Sequence, residues 1–428
     1  MWQWKWTADT KLFAILTEKT SPLIDPLPIS NILYTILFVS LSNSLYGLLI
    51  ASRPRSTFGK QLIAVPLTLA LVLLPLVTRP PSVVVHQSQG AGAIAFGMRM
   101  FDLYFLRPRR EANKTTTRTA LQKKNDSDLS KEVSTQEEKR GPLMWTMTQL
   151  RAELWAPIRR VPSTHIPPYD SNKPGLIPVA ALIKQAAGYI LISDVTIYIA
   201  SRFSLADLRN LSTVQYGLFL GLFGFIHFSV LLIFNFVAIG WSLATGESVD
   251  PEEWTMITKP LPYFAVTPSE FWGLWHTMFR AIWVDLGFLP VQRFAKEHLG
   301  PDRVGPGLAK AARLALPVMA VFCLSGLLHG YVVFAVWRES PWSQVMYFLL
   351  QGVAVVVSKA IEQSSFGSMI RQRYLQGSTA QRAVLRAVGI VLVWCLHIVT
   401  APFFLHAYLE NEVWLSVVKG SVLWRLLG

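Results

Sequence analysis

Apolar residues run along this chain in blocks of helical length, and the polar positions gather between them. A membrane-crossing helix needs about 20 mostly apolar residues. Eight stretches fit: 30–51, 61–78, 89–106, 176–201, 214–241, 314–337, 342–361 and 384–409. The pattern predicts an all-α polytopic membrane helical bundle of about eight spans. Some of these stretches carry charge within the apolar run. Lys184 and Asp194 interrupt 176–201, and Arg99 and Asp102 interrupt 89–106.

Segment 259–293 follows neither pattern. It opens on "KPLPYFAVTPSEFWG", whose prolines break regular structure. "TPSE" then predicts a helix start, with Thr267 as cap, Pro268 at the first helical position and Glu270 completing a capping box. The helix that follows, "EFWGLWHTMFR", is heavily aromatic and too short to span, as is the apolar run "AIWVDLGFLPV" after it. The segment is expected to be a re-entrant or in-plane helical element. Such an element is tolerated at membrane depth only where it lines a protein cavity. The plainer alternative is an aromatic anchor at the interface.

Charge sharpens the topology. The chain has 428 residues, of which 15% are charged, against about 25% in a typical soluble domain. Residues 107–173 hold 22 of the 66 charged side chains, so one polar insert separates two apolar regions. Three parts follow: 1–106, an N-terminal anchor with the first three spans; 107–175, a polar, partly disordered cytosolic insert; and 176–428, a membrane core with five spans. With eight spans, and with Lys310 and Arg313 set aside at a membrane boundary, one face collects 25 Lys and Arg and the other 9, which marks the first as cytosolic. The net charge of +14 suits cytosolic loops facing anionic lipid. It argues against a nucleic-acid partner, because the charge sits beside spans and not on a folded basic domain. The tryptophans of "MWQWKW" suit an interfacial anchor. The two cysteines, Cys323 and Cys395, lie in apolar runs and are expected to be packed thiols.

Of eight histidines, His227, His329, His397 and His406 fall in expected spans, where ionisable groups are costly and often functional. His329 stands out in "FCLSGLLHGYVVF", with Ser325 and Gly326 one turn earlier. Small residues there let a substrate or a second helix approach closely. It lies roughly 22 Å into its span at about 1.5 Å per residue. His276 is the histidine of the aromatic element. No phosphate-binding glycine loop, zinc motif or serine-hydrolase elbow is present, and no metal is expected.

The pair formed by "SEFWGLWHTMFR" and, about fifty residues later, "SGLLHG" resembles the membrane-bound O-acyltransferase superfamily. More narrowly it is similar to the wax-synthase-like branch, which includes fungal acetyltransferases acting on terpenoid and other secondary-metabolite alcohols. The resemblance runs over roughly 240–410. It implies that His329 is the catalytic base and His276 the second polar residue of the site. Two positions depart from the pattern. Only Gly273 and Leu274 separate Trp272 from Trp275, where the family usually has three residues. Gly330 stands where many relatives carry Glu.

The implied reaction moves an acyl group, most simply acetyl, from acyl-CoA to the hydroxyl of an apolar acceptor. Acyl-CoA is then a co-substrate, with no permanently bound cofactor. Histidine suits the work, because its ordinary pKa of about 6.5 lets it accept a proton at neutral pH. His276 would steady the thioester or the developing oxyanion. Trp272 and Trp275 would exclude water, Ser325 and Gly326 would admit substrate, and Lys259, Arg280 and Arg293 would meet the CoA phosphates. The expected partners are the lipid bilayer, acyl-CoA and the alcohol, and the expected place is the endoplasmic reticulum membrane. Two alternatives remain: a wax-ester synthase using long-chain acyl-CoA and a fatty alcohol, and a transporter of an apolar metabolite with Lys184, Asp194 and Lys359 along its path.

Overall fold

The computed structural model describes residues 25–50, 57–106, 171–202, 231–232, 235–250, 262–275, 279–411 and 421–427. Among these, helix dominates, and six helices are long and apolar enough to cross a membrane. They are α1 (Asn31–Ile50), α2 (Thr57–Val77), α4 (Val179–Ser201), α8 (Pro306–Trp337), α9 (Trp342–Glu362) and α11 (Thr379–Glu410). Large apolar side chains such as Ile32, Leu62, Leu191 and Leu392 point outward, as a lipid-facing surface requires. The chain is an integral membrane protein of all-α architecture. Most of the expected span 214–241 lies outside the described residues, as does the insert 107–170.

Segment 89–106 belongs to a longer helix, α3 (Val83–Phe101), which continues as a π-helical turn over Asp102–Leu106. Its start lies six residues earlier than expected because the Ser82 side chain caps it, accepting from the Val85 N–H at 3.3 Å. Its charges are internally matched. Arg99 pairs with Asp102 at 2.8 Å and approaches Asp285, in a π-helical turn over Val284–Phe288, at 3.8 Å. Helices α1–α3 form an N-terminal unit around Leu45, Leu71, Ala93, Met100 and Tyr104. A short parallel pairing of Leu27–Pro28 with Thr78–Arg79 ties its ends.

The long helices also start earlier than hydropathy suggests, for local reasons. Gly305 turns the chain at a φ of 81° and Pro306 takes the first position of α8, where its missing N–H costs nothing. Ser378 and Gln381 form a capping box that sets α11 going at Thr379: Gln381 N–H donates to Ser378 Oγ and Ser378 N–H to Gln381 Oε1. The expected cytosolic loop between α9 and α11 contains an exposed helix, α10 (Ser365–Gln376).

Helices α8 and α9 are joined by only Arg338–Pro341 and pack as an antiparallel hairpin. Glycines set their separation. A Cβ on Gly326 would stand 2.8 Å from the Val345 Cα, and one on Gly330 would stand 2.8 Å from the Pro341 Cβ. Without strong hydrophobic drive between helices in lipid, such close backbone approach is a main source of association. The N-terminal unit docks on α8 through Ala95, Ile282 and Leu328, and through hydrogen bonds from Tyr331 to the Val72 carbonyl and from Arg338 to the Leu76 carbonyl.

Several polar residues have quieter places than the sequence suggested. The Asp194 carboxylate accepts from the Val422 and Leu423 N–H groups, both at 2.9 Å, and so caps the short helix α12 (Val422–Leu427). Lys359 pairs with Glu362 at 2.7 Å near the end of α9, and Lys184 is exposed. Asp250 is largely buried and pairs with Lys173 at 2.7 Å. Cys323 is half-buried, but Cys395 is exposed on α11 instead of packed inside, because its side of the helix faces lipid.

Candidate active site

The aromatic element begins as its capping signal predicts. Thr267 Oγ1 accepts from the Glu270 N–H at 3.1 Å, and the Glu270 carboxylate accepts from the Val266 N–H at 2.8 Å. The carboxylate reaches one residue beyond the usual capping-box position. Helix α5 (Pro268–Trp275) follows and ends after two turns. A one-turn helix, α6 (Arg280–Trp283), a π-helical turn over Val284–Phe288 and α7 (Leu289–His298) carry the chain to α8. The π turn joins α6 to α7 without a break over residues 280–298, and none of these pieces is among the helices long and apolar enough to cross a membrane. A Cβ on Gly287 would lie 2.9 Å from Leu324, so the π turn presses directly on α8.

Helix α5 inserts its aromatic face between α9 and α11. Phe271 is fully buried and stacks on Trp275, with centroids 5.6 Å apart and planes 13° from parallel. Trp272 meets Phe322 edge-on at 5.4 Å and leans on Phe348 at 5.8 Å. His329 stacks on that same Phe348, at 4.7 Å and 19°, with Phe404 edge-on at 5.5 Å. The two motifs read from sequence therefore meet across one ring. His329 is half-buried on α8, with Ser325 part-buried one turn before it. Gly326 and Gly330 face α9 and Pro341: at these two glycines it is the second helix that comes close.

His276 and Lys259 lie outside the described residues. Arg280 and Arg293 are both exposed, at the start of α6 and within α7. Tyr263, just ahead of α5, stacks on Trp394 at 5.9 Å, and the Trp394 indole donates to the Tyr263 carbonyl at 3.1 Å. Burial raises the Tyr263 phenol above its ordinary pKa, so its ring serves as a neutral wall.

A polar layer beneath these rings was not singled out from sequence. The His397 ring is fully buried, 4.0 Å from Phe271 and about equally far from Trp272 and Trp394, at 6.0 and 6.1 Å. Its Nδ1 lies 3.3 Å from the Tyr347 hydroxyl. The Trp272 indole donates to Gln351 Oε1 at 3.2 Å, and Gln351 Nε2 donates to Thr400 Oγ1 at 2.7 Å. Gln344 donates to the Phe404 carbonyl at 2.8 Å. The signal lay in the spacing: Gln344, Tyr347 and Gln351 on α9, and His397 and Thr400 on α11, share helical faces within otherwise apolar runs.

The geometry is thus an aromatic box shared by a short inserted helix and three spans, with one imidazole at its edge and another at its base. Residues 254–351 match the membrane bound O-acyl transferase family. The O-acyl transferase match contains the aromatic element and the His329 helix, and it ends at Gln351. Similar proteins carry the same chemistry in their names. Probable long-chain-alcohol O-fatty-acyltransferase 3 of Arabidopsis thaliana is 33% identical over 134 residues, covering 31% of this chain and 35% of the relative. Numbers 1 and 2 of the same series are 28% identical over 190 residues and 29% over 208. They cover 44% and 48% of this chain, and 48% and 52% of the relatives. The chain spans about half the length, or less, of these curated relatives.

Proposed function

We propose that this chain is a membrane O-acyltransferase, moving an acyl group from acyl-CoA to the hydroxyl of an apolar alcohol. The observation that carries this is the meeting of Trp272 and His329 on Phe348, within the segment matched to the O-acyl transferase family. A hydroxyl becomes a competent nucleophile as its proton leaves. His329 takes that proton while the oxygen attacks the thioester carbonyl, and the imidazolium returns it to the leaving thiolate. The rings of Trp272, Phe322 and Phe348 keep water from the thioester. His276, next in the chain after Trp275, is the proposed second polar residue, and Arg280, Arg293 and Lys259 are proposed to meet the CoA phosphates from the cytosol. The endoplasmic reticulum membrane, with the basic insert on its cytosolic side, is the proposed location.

The relatives' names favour a long-chain alcohol and a fatty acyl donor. The second reading, acetyl transfer to a terpenoid or other secondary-metabolite alcohol, rests on the likeness of the motif pair to fungal acetyltransferases. One assay decides between them. Membranes holding the protein are given labelled acetyl-CoA or long-chain acyl-CoA with fatty and terpenoid alcohols, and the ester product is identified. The His329→Ala protein should insert normally and form ester about 10²–10⁴ times more slowly. Ester formation at the wild-type rate by that variant would remove His329 from the mechanism, and no ester from any pairing would remove the function.

A further inference from the structure

Gln351 is fully buried in the middle of α9, and neither half of its amide is left to chance. An indole N–H only donates, so the Trp272 bond at 3.2 Å requires the amide oxygen on that side. The amide nitrogen then points to Thr400 Oγ1 at 2.7 Å, and Thr400 passes its own proton to the Leu396 carbonyl at 2.9 Å. The result is a chain of hydrogen bonds, Trp272 to Gln351 and Gln351 to Thr400 to Leu396, crossing from α5 through α9 to α11. Inside lipid no water can replace these bonds. A buried network of this kind holds strongly when complete and is costly when broken.

Its place gives it a task. Helix α5 has only two turns, too short to hold its own position. Its apolar contacts with the spans, Phe271 against His397 and Trp394 and Trp272 against Phe322 and Phe348, are non-directional and would tolerate a small slide. The Trp272–Gln351 bond is directional and fixes the plane and depth of the indole that leans on Phe348, the ring on which His329 stacks.

We propose that Gln351 is a positioning residue, the middle of a buried strut that locks the aromatic helix against α9 and α11 and so keeps Trp272 sealing the acyl group from water. Its catalytic consequence rests on the acyltransferase function proposed above; the strut itself does not.

Two measurements on the purified full chain in lipid nanodiscs test it. The first is backbone amide exchange. In Gln351→Met, peptides covering 262–275 exchange roughly tenfold faster, while those of α8 keep their wild-type rate. Trp272→Phe gives the same change, and adding Gln351→Met to it gives less than about a further twofold, because both remove one bond. Thr400→Ser keeps the hydroxyl and the wild-type exchange, whereas Thr400→Val does not; this pair reads the same strut should Gln351→Met fail to accumulate. Wild-type exchange in Gln351→Met, or in Thr400→Val where Gln351→Met does not accumulate, overturns the strut. The second is the ratio of ester to free acid formed from acyl-CoA, which does not depend on how much protein is folded. In Gln351→Met the ratio falls roughly tenfold, in line with the cost of small misplacements in active sites. Faster exchange with an unchanged ratio overturns the sealing role. A wild type that makes neither ester nor acid overturns the enzyme reading, and the exchange result stands apart from it.

Discussion

The N-terminal unit of α1–α3 and the core of α5, α8, α9 and α11 bury polar groups in different ways. In the N-terminal unit, buried side chains mostly serve the backbone: the Tyr104 hydroxyl donates to the Leu45 carbonyl at 2.6 Å, Gln61 to the Tyr104 carbonyl at 2.7 Å and Thr78 to the Leu74 carbonyl at 2.6 Å. In the core, some bonds also go to backbone, as from Gln344 to the Phe404 carbonyl and from Trp394 to the Tyr263 carbonyl, but around the aromatic box side chains of different helices also meet one another, as in Trp272–Gln351–Thr400 and Tyr347–His397. A bond to backbone closes a structural account and asks nothing more of the residue. A bond between side chains of different helices fixes the direction of a ring. The first region is built to hold a shape, and the second to aim groups at one place.

Substitutions can break or sharpen that contrast. The largest effect is expected at His329. Loss of a general base typically costs about 10²–10⁴ in rate, so His329→Ala should lower ester formation by that order without loss of inserted protein, as a turnover assay against an antibody-quantified membrane fraction would show. Gly326→Val should act through the fold. Its Cβ would meet the Val345 backbone at 2.8 Å, and backbone cannot swing aside as a side chain can. Overpacking of this kind costs about 1–3 kcal/mol. It should appear as a lowered thermal midpoint in detergent, with the activity of surviving protein falling in step. If Gly326→Val kept its stability, the glycine would not be setting the α8–α9 distance.

What the sequence could show was local. The capping signal at Thr267 and Glu270 joins residues three apart, and the structure forms its Thr267 half, with the Glu270 carboxylate returning to the Val266 N–H in place of that of Thr267. His329 was marked by neighbours in its own turn. The helices were visible because each is a continuous run. Gln351 was not, because its partners Trp272 and Thr400 lie 79 and 49 residues away, and nothing short-range says that three elements meet there. His397 was noticed as a span histidine, but its value depends on Phe271 and Tyr347, which belong to other helices. Asp194 illustrates the opposite case. A carboxylate in an apolar run suggested a transport path, whereas it caps a helix more than two hundred residues further on.

The sharpest test of the contrast is a matched pair of small changes. Tyr104→Phe and Tyr347→Phe each delete one buried hydroxyl, the first bonded to a carbonyl and the second to the His397 imidazole. A single hydrogen bond is worth about 1 kcal/mol net, so both variants should lose similar, modest stability by thermal melting. Only Tyr347→Phe should change catalysis, because only there does the lost bond orient a ring, His397, that packs 4.0 Å from Phe271 beneath the site. Its ester-forming turnover should fall several-fold, about what a kcal/mol corresponds to, with the Km for acyl-CoA unchanged. Equal turnover in the two variants would mean that the core's side-chain bonds hold shape and nothing else. Smaller still is Asp194→Ala, which frees two N–H groups of the six-residue α12. Loss of a cap costs about 1 kcal/mol within the affected helix, and among the described residues α12 packs on α4. Faster amide exchange confined to 421–427, with turnover intact, is therefore expected. A fall in turnover there would show that the aiming region extends to the C-terminal helix, and the division between the two ways of burying polar groups would have to be redrawn.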